Sequence, residues 1–290
     1  MRIVVIGAGA WGSSFTKVLR ERDHDVFVAV RATLAAAPYD EADLVVIAVP
    51  SRAFREVLGQ VTGKAPILSL VKGLDPESGE RLSTLVQGRS VAVLSGPNMA
   101  EEVAEGLPSV AVVASEDDAL AARLQEAINS PVFRVYVQPD LIGVELCAAA
   151  KNVIALAAGA VDGLGLGDNA KAALITRGLV EMARLGAACG AESETFSGLA
   201  GMGDLMVTCF HPAGRNRRAG EMIARGATPE EAKVAIGQVV EGLTTAPVLR
   251  DLSHRIGVEL PITEGVCSVL DGRPLHELAG SLMGRTPGAE

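Results

Sequence analysis

One ammonium stands inside an apolar run. Glu145 to Gly159 reads ELCAAAKNVIALAAG, and Lys151 with Asn152 interrupts a series of small apolar residues. A desolvated amine can exchange a proton with a substrate oxygen, because burial draws a lysine pKa down from about 10.4 toward neutrality. Two plainer readings stand beside this one: a lysine that snorkels to the surface, or a buried ion pair with a partner such as Glu145. A second stretch, GLAGMGDLMVT over 198–208, holds a single acid, Asp204, among glycines. A tight loop would place that carboxylate, and a helix cap is the alternative. A third, GRNRR over 214–218, sets Arg215, Arg217 and Arg218 within four positions of an acidic chain. Guanidinium forks match phosphate oxygens, and a helix start at Asn216 would add backbone N–H donors; a solvated charged turn is the bland reading.

The elements that must position these groups fall into two halves. Apolar runs over 3–6, 25–30, 43–49, 66–71, 90–94, 109–114 and 133–137 read as strands. Helical stretches over 13–20, 52–60 and 117–129 lie between some of them. This alternation predicts an α/β Rossmann-type domain with a mainly parallel sheet. The first strand runs into Gly7-Ala8-Gly9-Ala10-Trp11-Gly12, a GxGxxG placed between strand and helix. In that context Gly7 permits the turn, Gly9 admits a pyrophosphate and Gly12 lets the helix pack; Ala10 and Trp11 complete the loop. A merely Gly-rich turn is the alternative. Val30-Arg31 closes the second strand where NAD-preferring folds carry an acid, which leans toward NADP or use of both cofactors, unless Arg31 is an ordinary surface residue. Pro50 ends the third strand, Lys72 the fourth, and Gly96 to Asn98 the fifth. Ligands of open α/β sheets bind at that edge.

Past Asp140 the strand-like runs stop. Helices are expected over 140–160, 170–188, 216–225, 229–236, 243–256, 263–270 and 274–283. The domains are therefore placed at 1–139 and 140–290, the second all-α. The apolar stretch 141–167 is long enough to mimic a membrane span, but Glu145, Lys151, Asn152 and Asp162 argue for a buried helix.

Composition narrows the class. A formal charge of −9 and only 3% aromatics leave no basic footprint and no base-stacking platform for nucleic acid. The four cysteines are far apart and form no CxxC, so neither a disulfide frame nor a zinc site is expected. The start, MRIVVIGAGAWG, lacks a signal peptide's apolar run, so a cytoplasmic protein is expected. No metal is required by any of these groups.

The blocks GAGAWGSS, AVPS, KGL, LSGPNMAEE, AAAKNVIALAAG, GLGDNAKAALITRGL, TFSGLAGMGDLMVTC, GRNRRAGE and VVEG, in this order over nearly the whole chain, resemble the soluble bacterial-type NAD(P)-dependent glycerol-3-phosphate dehydrogenases. The resemblance implies reversible reduction of dihydroxyacetone phosphate to glycerol 3-phosphate with NADH or NADPH, supplying glycerophospholipid synthesis. It implies that Lys151 donates and accepts the proton, with Lys72 and Asp204 also at the catalytic centre. It places Gly96, Asn98, Asn152, Gly214, Arg215 and Asn216 on the substrate, with Arg215 and Asn216 at its phosphate. It places Pro50, Lys72, Ala100, Arg215, Val239 and Glu241 by the cofactor, alongside the glycine loop and Arg31. A homodimer is compatible. The sequence departs from the pattern in its short connection from Arg31 to Ala42. It departs again at Gly214, where relatives often carry Ser, so that a hydroxyl contact to the substrate phosphate would be absent or replaced by a backbone N–H. The competing readings are another Rossmann/all-α lysine-dependent reductase, of hydroxyacid or ketopantoate type, and a non-catalytic nicotinamide redox sensor.

Overall fold

A computed structural model describes residues 1–275. Seven strands form one sheet: β1 (Arg2–Ile6), β2 (Asp25–Ala29), β3 (Leu44–Ile47), β4 (Ile67–Ser69), β5 (Val91–Ser95), β6 (Ser109–Ala114) and β7 (Phe133–Gln138), in the order β2-β1-β3-β4-β5-β6-β7. Five of the six pairings are parallel; β5 and β6 run antiparallel. The inner strands β1 and β3 to β6 read as apolar runs because both faces of the sheet are covered there, whereas the edge strands β2 and β7 leave alternate residues exposed. On one face Ile3, Val5, Leu44 and Val46 meet Phe15, Leu19, Leu124 and Ile128. On the other Val4, Ile6, Val45 and Ile47 meet Phe54, Val57 and Leu82. Each such side chain contributes about 1.5–3 kcal/mol of burial.

The helices of the first half are α1 (Ala10–Arg20), α2 (Phe54–Leu58), α3 (Ala100–Glu105) and α4 (Asp118–Ile128). The expected helix over 52–60 is shorter, because Ser51–Ala53 is a 3-10 turn. The connection from Arg31 to Ala42 folds into two 3-10 turns, closed where Tyr39 Oη donates to the Leu34 carbonyl at 2.8 Å.

The second half is helical: α5 (Leu141–Gly163), α6 (Gly167–Ala188), α7 (Ser193–Ser197), α8 (Asp204–Phe210), α9 (Arg215–Ala224), α10 (Pro229–Ile236), α11 (Glu241–Ile256) and α12 (Pro261–Leu270). Of the helix expected over 274–283, the part past 275 lies outside the described residues. Helix α5 is long and apolar enough to cross a membrane, yet 94% of its apolar window is buried inside the molecule. It is the axis of this half, and its small residues let neighbours approach. A Cβ on Gly159 would sit 1.8 Å from the Arg217 carbonyl oxygen, and one on Gly220 1.9 Å from that of Leu156. Helices α5 and α9 thus touch backbone to backbone.

One expectation is corrected. The glycines around Asp204 do not form a loop. Leu199–Gly203 is a π-helical turn that leads directly into α8. Gly201 is there for close approach, since a Cβ would meet the Phe196 carbonyl oxygen at 2.1 Å.

Candidate functional site

The C-terminal ends of β1, β3, β4 and β5 face the helical half, and their loops carry Gly7 to Gly12, Pro50-Ser51, Lys72 and Gly96 to Asn98. Across from them α5 supplies Lys151, α8 Asp204, and α9 Arg215 and Asn216.

Lys151 is 4% exposed. Its Nζ donates to Asp204 Oδ1 at 2.5 Å and to Thr208 Oγ1 at 2.8 Å. Thr208 spends its one hydroxyl hydrogen on the Asp204 carbonyl at 2.6 Å, so a lone pair is left facing Lys151. The other carboxylate oxygen, Asp204 Oδ2, accepts from Lys72 Nζ at 2.9 Å and Ser95 Oγ at 3.2 Å. Lys72 Nζ also donates to Asn98 Oδ1 at 3.2 Å and the Gly96 carbonyl at 3.4 Å. One buried carboxylate therefore bridges two ammoniums. Glu145 takes no part, since it accepts from Ser83 and Arg81; the buried ion pair of Lys151 is made with Asp204 instead, and the burial of Lys151 excludes snorkelling. Nor does Asp204 cap its helix, since both its oxygens are committed to side chains.

The charges oppose each other in an informative way. Burial in the apolar wall of α5 lowers the Lys151 pKa to about 7, against the pull of Asp204 and with the push of the Lys72 ammonium. Burial alone would raise Asp204; the two ammoniums outweigh it and hold the carboxyl below its usual range. An amine poised near neutrality can give a proton to an alkoxide or take one from an alcohol. Beside it the Asn98 side-chain amide nitrogen is buried with no partner. A buried donor left unpaired costs about 1–3 kcal/mol, which a ligand oxygen would recover.

The turn between β1 and α1 is built from close backbone approaches. Gly7 has φ +115°, and a Cβ there would stand 2.3 Å from the Ala48 carbonyl oxygen. A Cβ on Gly12 would meet the Gly7 carbonyl oxygen at 2.2 Å. By contrast nothing lies within 4 Å of a Cβ on Gly9. Ser13 makes the first bond into α1, to the Gly9 carbonyl at 2.9 Å, so the N–H groups of Ala10, Trp11 and Gly12 lack helical acceptors. No acid sits in that first turn, and the buried Trp11 indole N–H is also unpartnered. Open space at Gly9 beside uncommitted donors fits a dinucleotide pyrophosphate. Arg31 is exposed just past β2. Ala100 is the first residue of α3, its carbonyl held by Ser14 Oγ at 2.7 Å. Pro50 precedes Ser51, whose N–H and hydroxyl reach Glu241 Oε1 at 3.2 Å and Oε2 at 2.8 Å. This contact ties the first half to α11. Burial raises the Glu241 pKa, opposed by Ser51 and by the charges of Arg215 and Arg52.

Helix α9 begins at Arg215, and its first bond runs from Arg218 N–H to the Gly214 carbonyl at 2.9 Å. The N–H groups of Arg215, Asn216 and Arg217 therefore remain for an anion. The arginines divide. Arg215 is exposed and donates to the Val239 carbonyl at 3.1 Å. Arg217 turns away to Asp162 at 2.7 Å and Glu221 at 3.3 Å. Of the two alternatives at Gly214, its own N–H does not supply the replacement, because it donates to the His211 carbonyl at 2.9 Å. A Cβ there would stand 3.0 and 3.1 Å from two carbonyl oxygens. Asn216 and Asn152 bond to each other at 2.9 Å.

Three participants were not foreseen: Thr208, Ser95 and Ser51. Thr208 follows Asp204 by four positions, a spacing that puts both on one helix face once 204–210 is read as helix. Ser95 and Ser51 carry no local signal beyond their place at strand ends.

Two family models match parts of the chain: NAD-dependent glycerol-3-phosphate dehydrogenase N-terminus over residues 28–121, and NAD-dependent glycerol-3-phosphate dehydrogenase C-terminus over 140–278. A glycerol-3-phosphate dehydrogenase of Halorhodospira halophila, named for NAD(P)+, is 42% identical over 99% of this chain and 98% of its own. Its counterpart in Moorella thermoacetica is 41% identical over 98% and 96%. The crystal structure of the glycerol-3-phosphate dehydrogenase from Coxiella burnetii superposes with a TM-score of 0.92 at 34% identity, covering 98% of this chain and 99% of that one.

Proposed function

This chain belongs to the NAD-dependent glycerol-3-phosphate dehydrogenase family, and on that footing we propose how its own residues carry the reversible reduction of dihydroxyacetone phosphate to glycerol 3-phosphate. Bound nicotinamide supplies or takes the hydride at carbon. The protein supplies position, charge and the proton. Residues 1–139 hold the dinucleotide, with the pyrophosphate on Gly9 and the start of α1. Residues 140–290 hold the substrate and the proton donor.

In the reducing direction Lys151 as ammonium stabilises the developing alkoxide and protonates it. In the oxidising direction the neutral amine accepts the hydroxyl proton. Asp204 and Thr208 hold Nζ in place through both. Lys72 and the unpaired Asn98 amide line the substrate's polar face, next to the Gly96 carbonyl. Arg215 and the free N–H groups opening α9 grip the phosphate. The observation that carries this reading is the Lys151–Asp204–Lys72 bridge, which sets an amine with a pKa near 7 inside an apolar wall between the two halves. Neither a redox sensor nor a reductase of unphosphorylated acids needs the whole set.

Arg31, exposed beyond β2 and free of any hydrogen bond or ion pair among the described residues, suits a 2′-phosphate. The reading extends to a cytoplasmic homodimer, which sedimentation equilibrium tests. The direct test of the activity is oxidation of NADH and NADPH with dihydroxyacetone phosphate, run side by side. Turnover with both, favouring NADPH, is expected. Absence of turnover with retained nucleotide binding would leave the sensor reading.

A further inference from the structure

Beneath the catalytic cluster runs a chain of amide bonds that the reaction itself does not require. The Gly242 N–H, at the start of α11, donates to Asn216 Oδ1 at 2.8 Å. Asn216 Nδ2 donates to Asn152 Oδ1 at 2.9 Å. Asn152 Nδ2 donates to the Lys72 carbonyl at 3.2 Å and to the Ala148 carbonyl, one turn back in α5, at 3.1 Å. Both asparagines are buried, at 4% and 8% exposure. Backbone groups fix the polarity at each end. A backbone N–H can only donate to Asn216, and two backbone carbonyls can only accept from Asn152. Neither amide can therefore flip without setting two donors or two acceptors face to face.

An asparagine amide has two hydrogens. Both of those on Asn152 are committed to carbonyls, so it keeps no donor for an anionic substrate. Asn216 spends one of its two and retains the other, with its backbone N–H also free. The two asparagines therefore have different jobs, although they touch.

We propose that Asn152 is a positioning residue and not a ligand of the substrate: it clamps the Lys72 backbone to α5, with its own amide held in orientation by Asn216. This inference rests on the catalytic reading above. The clamp acts on the residue beside Lys151 in α5 and on the main chain of the lysine that shares Asp204 with it. Losing it frees the Lys72 loop, and displacing a reacting group by about 1 Å can cost on the order of 100-fold in rate.

The experiment is a double-mutant cycle between Asn152 and Lys72, with kcat and KM for dihydroxyacetone phosphate measured at saturating NADPH. Asn152→Ala and Asn152→Ser are both made. In the serine variant the hydroxyl can bond back to Ala148 within the helix, which protects folding, while the Lys72 carbonyl stays unheld. In the wild-type background kcat should fall by about 10–100-fold, with KM and nucleotide affinity changed by less than about 3-fold. In the Lys72→Ala background the same substitutions should cost less than about 3-fold, because the group they position has gone. Equal losses in both backgrounds would overturn the proposal. So would a rise in KM with kcat unchanged, the signature of a lost substrate contact. A wild-type enzyme without turnover would instead defeat the catalytic reading, which keeps the two failures apart.

Discussion

Replacing Asp204 with Asn removes the one anion that offsets two ammoniums while keeping size and a carbonyl acceptor. Asp204 Oδ1 lies 2.5 Å from Lys151 Nζ and Oδ2 lies 2.9 Å from Lys72 Nζ. Losing an opposite charge at this range shifts a pKa by about 1–3 units. The sign is downward, since burial and Lys72 both disfavour the Lys151 ammonium and only Asp204 favours it. A starting value of about 7 therefore falls to about 4–6. At pH 7 the protonated share drops from about one half to about 10% at the mild end and about 0.1% at the other. The kcat/KM for dihydroxyacetone phosphate reduction at that pH should fall by about 5-fold to 500-fold. The assay is kcat/KM at saturating NADPH from pH 5 to 9, with thermal melts to confirm folding. In the wild type this parameter should decline as pH rises through about 7. In Asp204→Asn the decline should move to lower pH, so that acidification recovers part of the lost activity. A midpoint that stays near 7 or moves upward would refute Asp204 as the group sustaining the Lys151 charge.

Other outcomes follow from the same geometry. Lys151→Ala should retain nucleotide affinity, measured by fluorescence titration, while turnover falls by about 100-fold to 10,000-fold. Arg215→Ala should chiefly raise KM for dihydroxyacetone phosphate, by the about 1.5–3 kcal/mol of a charge-assisted bond, and should narrow discrimination against unphosphorylated dihydroxyacetone. Gly9→Ala should leave the melting temperature nearly unchanged but weaken nucleotide binding at least about 10-fold, because its Cβ enters open space; Gly12→Ala should destabilise the fold through its 2.2 Å approach to the Gly7 carbonyl oxygen. Urea unfolding of Lys151→Met against wild type tests the buried amine itself. Between pH 7 and about 10 the unfolded lysine holds a proton that the folded one has released, so wild-type stability should rise relative to the variant by about 1.4 kcal/mol per pH unit. A parallel pair of curves would mean that Lys151 keeps its ordinary pKa.

Much of this is legible in the sequence. The inner strands stand out as apolar runs because the sheet is covered there on both faces. The glycine loop is recognisable because backbone contacts, not side chains, dictate Gly7 and Gly12. Helix α5 is plain from length and apolarity. What misled was local. Glycines around Asp204 suggested a loop, whereas Gly201 serves a close approach inside a helical turn. Glu145 looked like a partner for Lys151 at six residues' remove, but α5 turns it toward Ser83 and Arg81.

By itself the order of residues settled which segments are buried, where a glycine turn must join strand to helix and which polar groups sit in apolar company. These are consequences of local sterics and of the 3.6 and 2.0 periodicities, which neighbours in the chain suffice to express. Only the tertiary structure decided who meets whom. Lys72 and Asp204 are 132 positions apart, and Asn152 reaches a carbonyl 80 positions away. The protonation of Lys151 depends on desolvation by one half of the molecule and on charges contributed by both, quantities that exist only after the halves have packed.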